Sequence, residues 1–304
     1  MKKDIYRILL LFLINSAVFG QLPNWTVNEN DFQYTMSFVG FLNSDGKTLI
    51  SADDKVAAFV NGECRGVANL IYVESRNQYY AYLTVFSNAN NEALSFKIYD
   101  SEKNSVKSVA KTINFAINEH YGDLFQAYSF ASPALSSKAE ITNVSFQNVI
   151  RNDFAISGSE ITIFLNKDQN ITSLNSIFDL SIGASIYIGT EKQISGVNAL
   201  DYTNPIDFQV VSQDQTVVKQ WKIIVKKALA NAIYYKKEAV CYEGGVLKIE
   251  FPIENEMVVL TKDGVTVSTQ IITSGQAVFS NLNAGIYKIS VGGNFKEIII
   301  NLKK

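Results

Sequence analysis

Leu94-Ser95-Phe96-Lys97-Ile98-Tyr99-Asp100 decides how the chain is read. In an extended backbone successive side chains point to opposite faces. Leu94, Phe96 and Ile98 then share one face, and Ser95, Lys97 and Tyr99 the other. That alternation predicts a strand with one buried side. Upstream, Phe32, Tyr34, Met36 and Phe38 alternate in the same way with polar or small residues. Residues 55–60 and 63–71 read as two further strands, punctuated by Gly62 and Gly66. Asn43-Ser44-Asp45-Gly46 reads as a turn in which glycine takes the positive φ. Regular short strands with polar turns suggest a sandwich.

The pattern continues along the chain. Residues 161–165, 184–188 and 217–225 read as strands, and so do 246–251, 257–261, 265–272, 277–279 and 286–291. Asp263-Gly264 is a hairpin signal between two of them. In 217–225, Val217, Trp221, Ile223 and Val225 share a face, so Trp221 reads as a core residue. Residues 131–138, small with a single proline, read as a linker. The fold class is therefore all-β, with three tandem β-sandwich-like modules at 21–132, 139–227 and 236–304. A signal peptide at 1–20 precedes them.

That leader has Lys2 and Lys3, an apolar run from Ile8 to Ile14, and Val18-Phe19-Gly20 before a cut at Gln21. The run is too short for a transmembrane segment, so the mature protein is expected to be secreted or held at the outer cell surface. The chain has 304 residues and a formal net charge of −2, which argues against a nucleic-acid partner. Cys64 and Cys241 fall in different modules and are expected to be buried free thiols.

Chemistry is sparse. His120 is the only histidine, and its polar surroundings suit a surface turn rather than a general base or zinc ligand. The acid pairs Asp53/Asp54, Asp100/Glu102 and Glu119/Asp123 sit in turns, where solvated acids are ordinary. Asn43, Asp45, Asp53 and Asp54 offer oxygen ligands but lack the spacing of a calcium loop. Arg65 is expected to pair with Asp54 or Glu63. No catalytic residue, metal or cofactor is assigned. The best binding clue is the strand at 78–86, where Tyr80, Tyr82, Thr84 and Phe86 share a side. Tyr80 and Tyr82 are the candidate ligand-binding residues if that side is open, because tyrosine offers apolar area with a polar tip. The alternative is that residues 106–118 fold across it.

Three segments resemble known families. The run from Asp54 to Ala68, with Gly62-Glu63-Cys64-Arg65-Gly66 at its centre, resembles a β-module of exported multi-domain proteins in bacteria that use type IX secretion. Leu174, Phe178, Leu180, Ser181, Gly183 and Ala184, with Asp201-Tyr202-Thr203-Asn204-Pro205 and the strand from Trp221 to Val225, resemble immunoglobulin-like modules of outer-membrane-associated surface and glycan-handling proteins. Val258 to Gly264 and Leu282-Asn283-Ala284-Gly285-Ile286-Tyr287 resemble the type A sorting domain of type IX secretion substrates, or a transthyretin-like β-module. The sorting domain's Pro-Asn-Pro opening is replaced here by Tyr242-Glu243-Gly244-Gly245. With no catalytic constellation and strands that present loops and an aromatic face, the chain is expected to be a non-catalytic adhesion or binding protein with a glycan, matrix or surface-protein partner. The tail's resemblance to a sorting domain implies contact with the type IX secretion machinery; its resemblance to a transthyretin-like module does not. The competing readings are a carbohydrate-active enzyme or its glycan-binding accessory subunit, and a structural spacer.

Overall fold

The chain is seen as a computed structural model that describes residues 22–303. The export signal read at 1–20 and the last lysine lie outside these residues. The chain forms two compact units: one runs through Ser137 and includes Gln213–Val217, and the other comprises Lys138–Ser212 and the chain from Val218 onward. Both are built from strands, as the alternation implied, with two short 3-10 turns at Glu29–Asp31 and Glu74–Arg76.

The first unit holds β1 (Tyr34–Ser44), β2 (Lys47–Thr48), β3 (Lys55–Val60), β4 (Glu63–Val73), β5 (Gln78–Ser87), β6 (Ala93–Asp100), β7 (Ser105–Ser108), β8 (Ile113–Asn114), β9 (His120–Tyr121) and β10 (Tyr128–Ser132). The main strand order is β10-β1-β5-β4-β3-β6-β7. β4 belongs to both halves. Its first part pairs with β3, from Val60↔Glu63 to Lys55↔Asn69, and its last part with β5, from Leu70↔Ala81 to Val73↔Gln78. The sheet folds over at this strand and closes on one core. Met36 and Phe38 from β1, Leu83 and Val85 from β5, Val56 and Ala58 from β3, and Leu94 and Phe96 from β6 all lie in it. Phe38 meets Phe96 edge to face across the core, with centroids 5.4 Å apart. Burying each such ring contributes roughly 1.5–3 kcal/mol.

Gly66 makes the fold-over sterically feasible. A Cβ there would lie 2.1 Å from the Thr84 carbonyl oxygen of β5, so only glycine lets the two backbones approach. Asp45-Gly46 and Asn61-Gly62 close hairpins with two positive φ angles each, which is the twist-matched form of a two-residue turn.

The second unit holds two cores. In the first, the sheet of Ile141–Phe146, Leu174–Leu180 and Ala199–Leu200 accompanies a six-stranded sheet in which Glu160–Leu165 runs parallel to Val218–Lys227. Val144, Phe178, Ile163, Phe208 and Trp221 fill the space they enclose. In the second, Gly245–Glu250 and its neighbours pack with the four-stranded sheet centred on Met257–Lys262 and Gly285–Val291. Leu247, Phe251, Leu260, Phe279 and Ile289 form its core. The Asp263-Gly264 hairpin is present, with φ of 51° and 77°. The two cores are tied together: Leu229 N–H donates to Gly292 O at 2.8 Å, Lys288 pairs with Asp153 at 2.8 Å, and Phe164 meets Phe295 at 5.0 Å.

Candidate functional site: a groove on the outer face of the first unit

β5 has two faces of different fate. Ala81, Leu83 and Val85 point into the core. Tyr82, Thr84 and Phe86 point outward and, with Val67 of β4, form the floor of a groove of about 360 Å³. Trp25, Thr26, Val27 and Glu29, from the irregular segment before β1, complete the lining. Such a volume is at the small end of ligand sites. Tyr82 is 45% exposed, so its ring face and hydroxyl are available.

The wall is fastened at several points. Trp25 packs edge to face on Phe59 of β3, with centroids 5.8 Å apart. Asn88 takes both ends of a backbone clamp: its Nδ2 donates to Asp31 O at 2.8 Å and its Oδ1 accepts from Gln33 N–H at 2.9 Å. Phe32 lies 6.4 Å from Phe86, and the Arg65 guanidinium stands 4.6 Å from the Phe32 ring centre. Arg65 is committed elsewhere, to Glu63 at 3.3 Å and Glu92 at 3.5 Å. Its expected alternative, Asp54, is buried and accepts instead from Ser51 N–H, Ser101 N–H and Ser101 Oγ.

The two tyrosines named from the sequence part company. Tyr80 is 1% exposed and packs with Phe41 and Ala127, alongside Leu124 and Leu135. Its hydroxyl donates to Leu124 O at 3.1 Å. An exposed Tyr80/Tyr82 pair therefore does not exist. The cover over Tyr80 comes from residues 124–135, not from 106–118. The reason is local: Asp123 Oδ1 accepts from Phe125 N–H and Gln126 N–H, at 2.6 and 2.7 Å. That turn folds Leu124 back over β5 and delays the next strand to Tyr128. The same hydrogen bonds hold the Asp123 carboxyl below its ordinary range.

The other candidate chemistries resolve into structure. His120 Nδ1 lies 2.8 Å from Ser37 Oγ at the surface. Asp45 is held by Lys107 and Lys103, whose hydrogen bonds lower its pKa. Among the described residues no cluster of His, Cys, Asp and Glu is arranged to hold a metal. Cys64 and Cys241 are free thiols; Cys64 is partly buried, which raises its pKa, whereas Cys241 is exposed rather than buried as expected. Trp221 is a core residue, 3% exposed, with its indole N–H donated to Ala139 O at 3.1 Å. A second concavity of about 400 Å³ lies on the last sandwich, lined by Ile233, Glu250, Phe251 and Gln276 among others. Its Glu250 carboxyl is lowered by hydrogen bonds from Lys248 and Tyr235.

Trp25, Thr26, Val27, Glu29 and Val67 were not singled out in the sequence. The segment that carries the first four has no alternation to place it. Its one usable signal was a tryptophan flanked by polar residues just after the leader.

Residues 141–225 match the family model described as "SGBP, N-terminal". No curated protein matches the chain. Among solved structures, a putative glycoside hydrolase from Bacteroides thetaiotaomicron is 21% identical over 45% of this chain, with a TM-score of 0.28. The chain covers 36% of that hydrolase's length. Drosophila OTK extracellular domains 3–5 are 9% identical over 92% of this chain and 99% of theirs, with a TM-score of 0.22. The titin fragment I67–I69, in an E-to-A mutated variant, is 10% identical over 90% of this chain and 100% of its own, with a TM-score of 0.19. Among the described residues no helix is long and apolar enough to cross a membrane.

Proposed function

We propose that the protein is a non-catalytic surface glycan-binding protein whose first unit takes a sugar chain in the groove between Trp25 and Tyr82. The observation that carries the reading is that these two aromatic residues line one groove together with Thr26, Thr84 and Glu29. Aromatic faces take up the apolar side of a pyranose ring, and hydroxyl and carboxylate groups meet its hydroxyls. The match of residues 141–225 to the SGBP model, a surface glycan-binding family, supports glycan binding by the protein. Those residues lie almost wholly in the second unit, so the groove itself rests on its own lining. Glycoside hydrolysis asks for two carboxyl groups flanking one bond, and Glu29 is the only acid among the groove's lining residues. The export signal read at 1–20 fits delivery to the outer surface.

A glycan array with the mature protein tests this, followed by titration calorimetry on the best ligand. Trp25→Ala and Tyr82→Ala are each expected to weaken binding at least tenfold. Unchanged affinity in both variants removes the groove as the site.

A further inference from the structure

The groove carries charge of one sign. Glu29 lines it, and no lysine, arginine or histidine does. Asp31, two residues on in the same 3-10 turn, is also exposed and accepts from Asn28 Nδ2 at 2.9 Å. Of the two cations that pack on neighbouring rings, Arg65 is held by ion pairs and Lys97 is exposed, and both stand outside the groove's lining. Arg65 is largely buried against Phe32 and bound by Glu63 and Glu92, while Lys97 sits over the Phe59 ring, 4.9 Å from its centre.

We propose that the groove accepts uncharged glycans and rejects acidic ones, with Glu29 setting the preference. This rests on the glycan reading above. A neutral pyranose donates its hydroxyls to the Glu29 carboxylate, a charge-assisted hydrogen bond stronger than a neutral one. A uronic acid brings a second carboxylate to the same rim, where none of the lining residues is a cation to receive it. At a few ångströms and an effective dielectric between protein and water, that repulsion is worth about tenfold in affinity. The volume of about 360 Å³ leaves room for roughly two pyranose rings, so at least one ring lies within reach of the rim.

The test uses matched pairs: the neutral hexasaccharide that binds best on the array, with cellohexaose, maltohexaose and mannohexaose as fixed members, and the same chains oxidised at C6 to the uronic acid. Wild-type protein is expected to bind the neutral member about tenfold more tightly. In Glu29→Gln the ratio is expected to fall to about twofold or less, and in Glu29→Lys to reverse. Equal or tighter binding of the oxidised chains by wild type overturns the inference and leaves the glycan reading standing. An unchanged ratio in Glu29→Gln also overturns it. If no glycan of either kind binds, the glycan reading falls and takes this inference with it. Circular dichroism of the Glu29 variants checks that the exposed substitution leaves the fold intact.

Discussion

Trp25 meets Phe59 edge to face, with planes at 79° and centroids 5.8 Å apart. The groove's floor is on β4 and β5, but one wall is anchored on β3 through this contact. Phe59 does not line the groove, so it separates support from contact. Phe59→Ala is expected to cost roughly 3–4 kcal/mol of stability, since the side chain is buried. It is also expected to weaken glycan binding five- to tenfold at a temperature where the variant stays folded. Phe59→Tyr, which keeps a ring for Trp25, is expected to recover most of the affinity. Calorimetry on both variants checks it, and equal binding in Phe59→Ala would show that Trp25 holds its place without the anchor.

The burial of Tyr80 and exposure of Tyr82 give a contrast two residues apart. Tyr80→Phe removes a hydroxyl that donates to Leu124 O. It is expected to lower unfolding free energy by about 1 kcal/mol and to leave glycan affinity unaltered. Tyr82→Ala, on the groove floor, is expected to do the reverse: little change in the denaturation midpoint and a large loss of binding. Urea melts and titrations of both variants decide between these patterns.

Strand after strand of this fold was legible because its period was clean. The 94–100 stretch lies within β6 with Leu94, Phe96 and Ile98 inward as anticipated, although Tyr99 on the opposite face is buried too, and 55–60 coincides with β3, which is buried on both faces from Val56 on. Ile141–Phe146 and Arg151–Ser157 were not read as strands, and each contains a register shift, at Ile141/Asn143 and Arg151/Asp153; β3 was read despite its own shift at Ala58/Phe59, because its apolar run is continuous. The site was half legible for a different reason. Alternation places Tyr80 and Tyr82 on one face but says nothing of what lies above that face. The cover over Tyr80 depends on the Asp123 turn, and the open groove beside Tyr82 depends on an irregular segment more than fifty residues away in the chain. Both are tertiary facts without a periodic signature.

Gly66 offers a test of the fold-over itself. A Cβ at this position would sit 2.1 Å from the Thr84 carbonyl oxygen and 3.2 Å from the Val85 Cα. These are backbone atoms of a central strand and cannot swing aside. Gly66→Ala is expected to destabilise the first unit by about 3 kcal/mol or more. Gly62→Ala is the control: its Cβ would meet nothing within 4 Å, and its cost is confined to the positive φ of 86°, about 1 kcal/mol. Guanidinium melts of the two variants should separate clearly, and comparable midpoints would show that β4 has room to move off β5.

The end of the last sandwich is fastened by Glu238, which gives the chain a readable acid response. Lys236 Nζ lies 2.6 Å from its carboxylate, Asn301 donates its backbone N–H to it, and Asn301 Nδ2 reaches it at 3.2 Å. These contacts fix the parallel pairing of Ala239–Val240 with Leu302–Lys303. The Lys236 hydrogen bond, followed by the Asn301 N–H, pulls the carboxyl from its ordinary 4.5 down to about 2. A carboxyl lowered by folding stabilises the folded state in its ionised form. Its contribution is complete above the unfolded value of 4.5 and is lost as pH falls through about 2. Other carboxyls, such as Asp45 and Asp123, are also lowered by their hydrogen bonds, so the comparison must be with Glu238→Gln, which keeps an acceptor for Asn301 but not the charge. The wild type is expected to be more stable than this variant from about pH 5.5 down to 4.5, with the gap closing as pH approaches about 2. Hydrogen exchange at the amides of residues 301–303 localises the change to this strand pair. A gap that stays constant across the range would mean that the Glu238 charge does not hold the strands together.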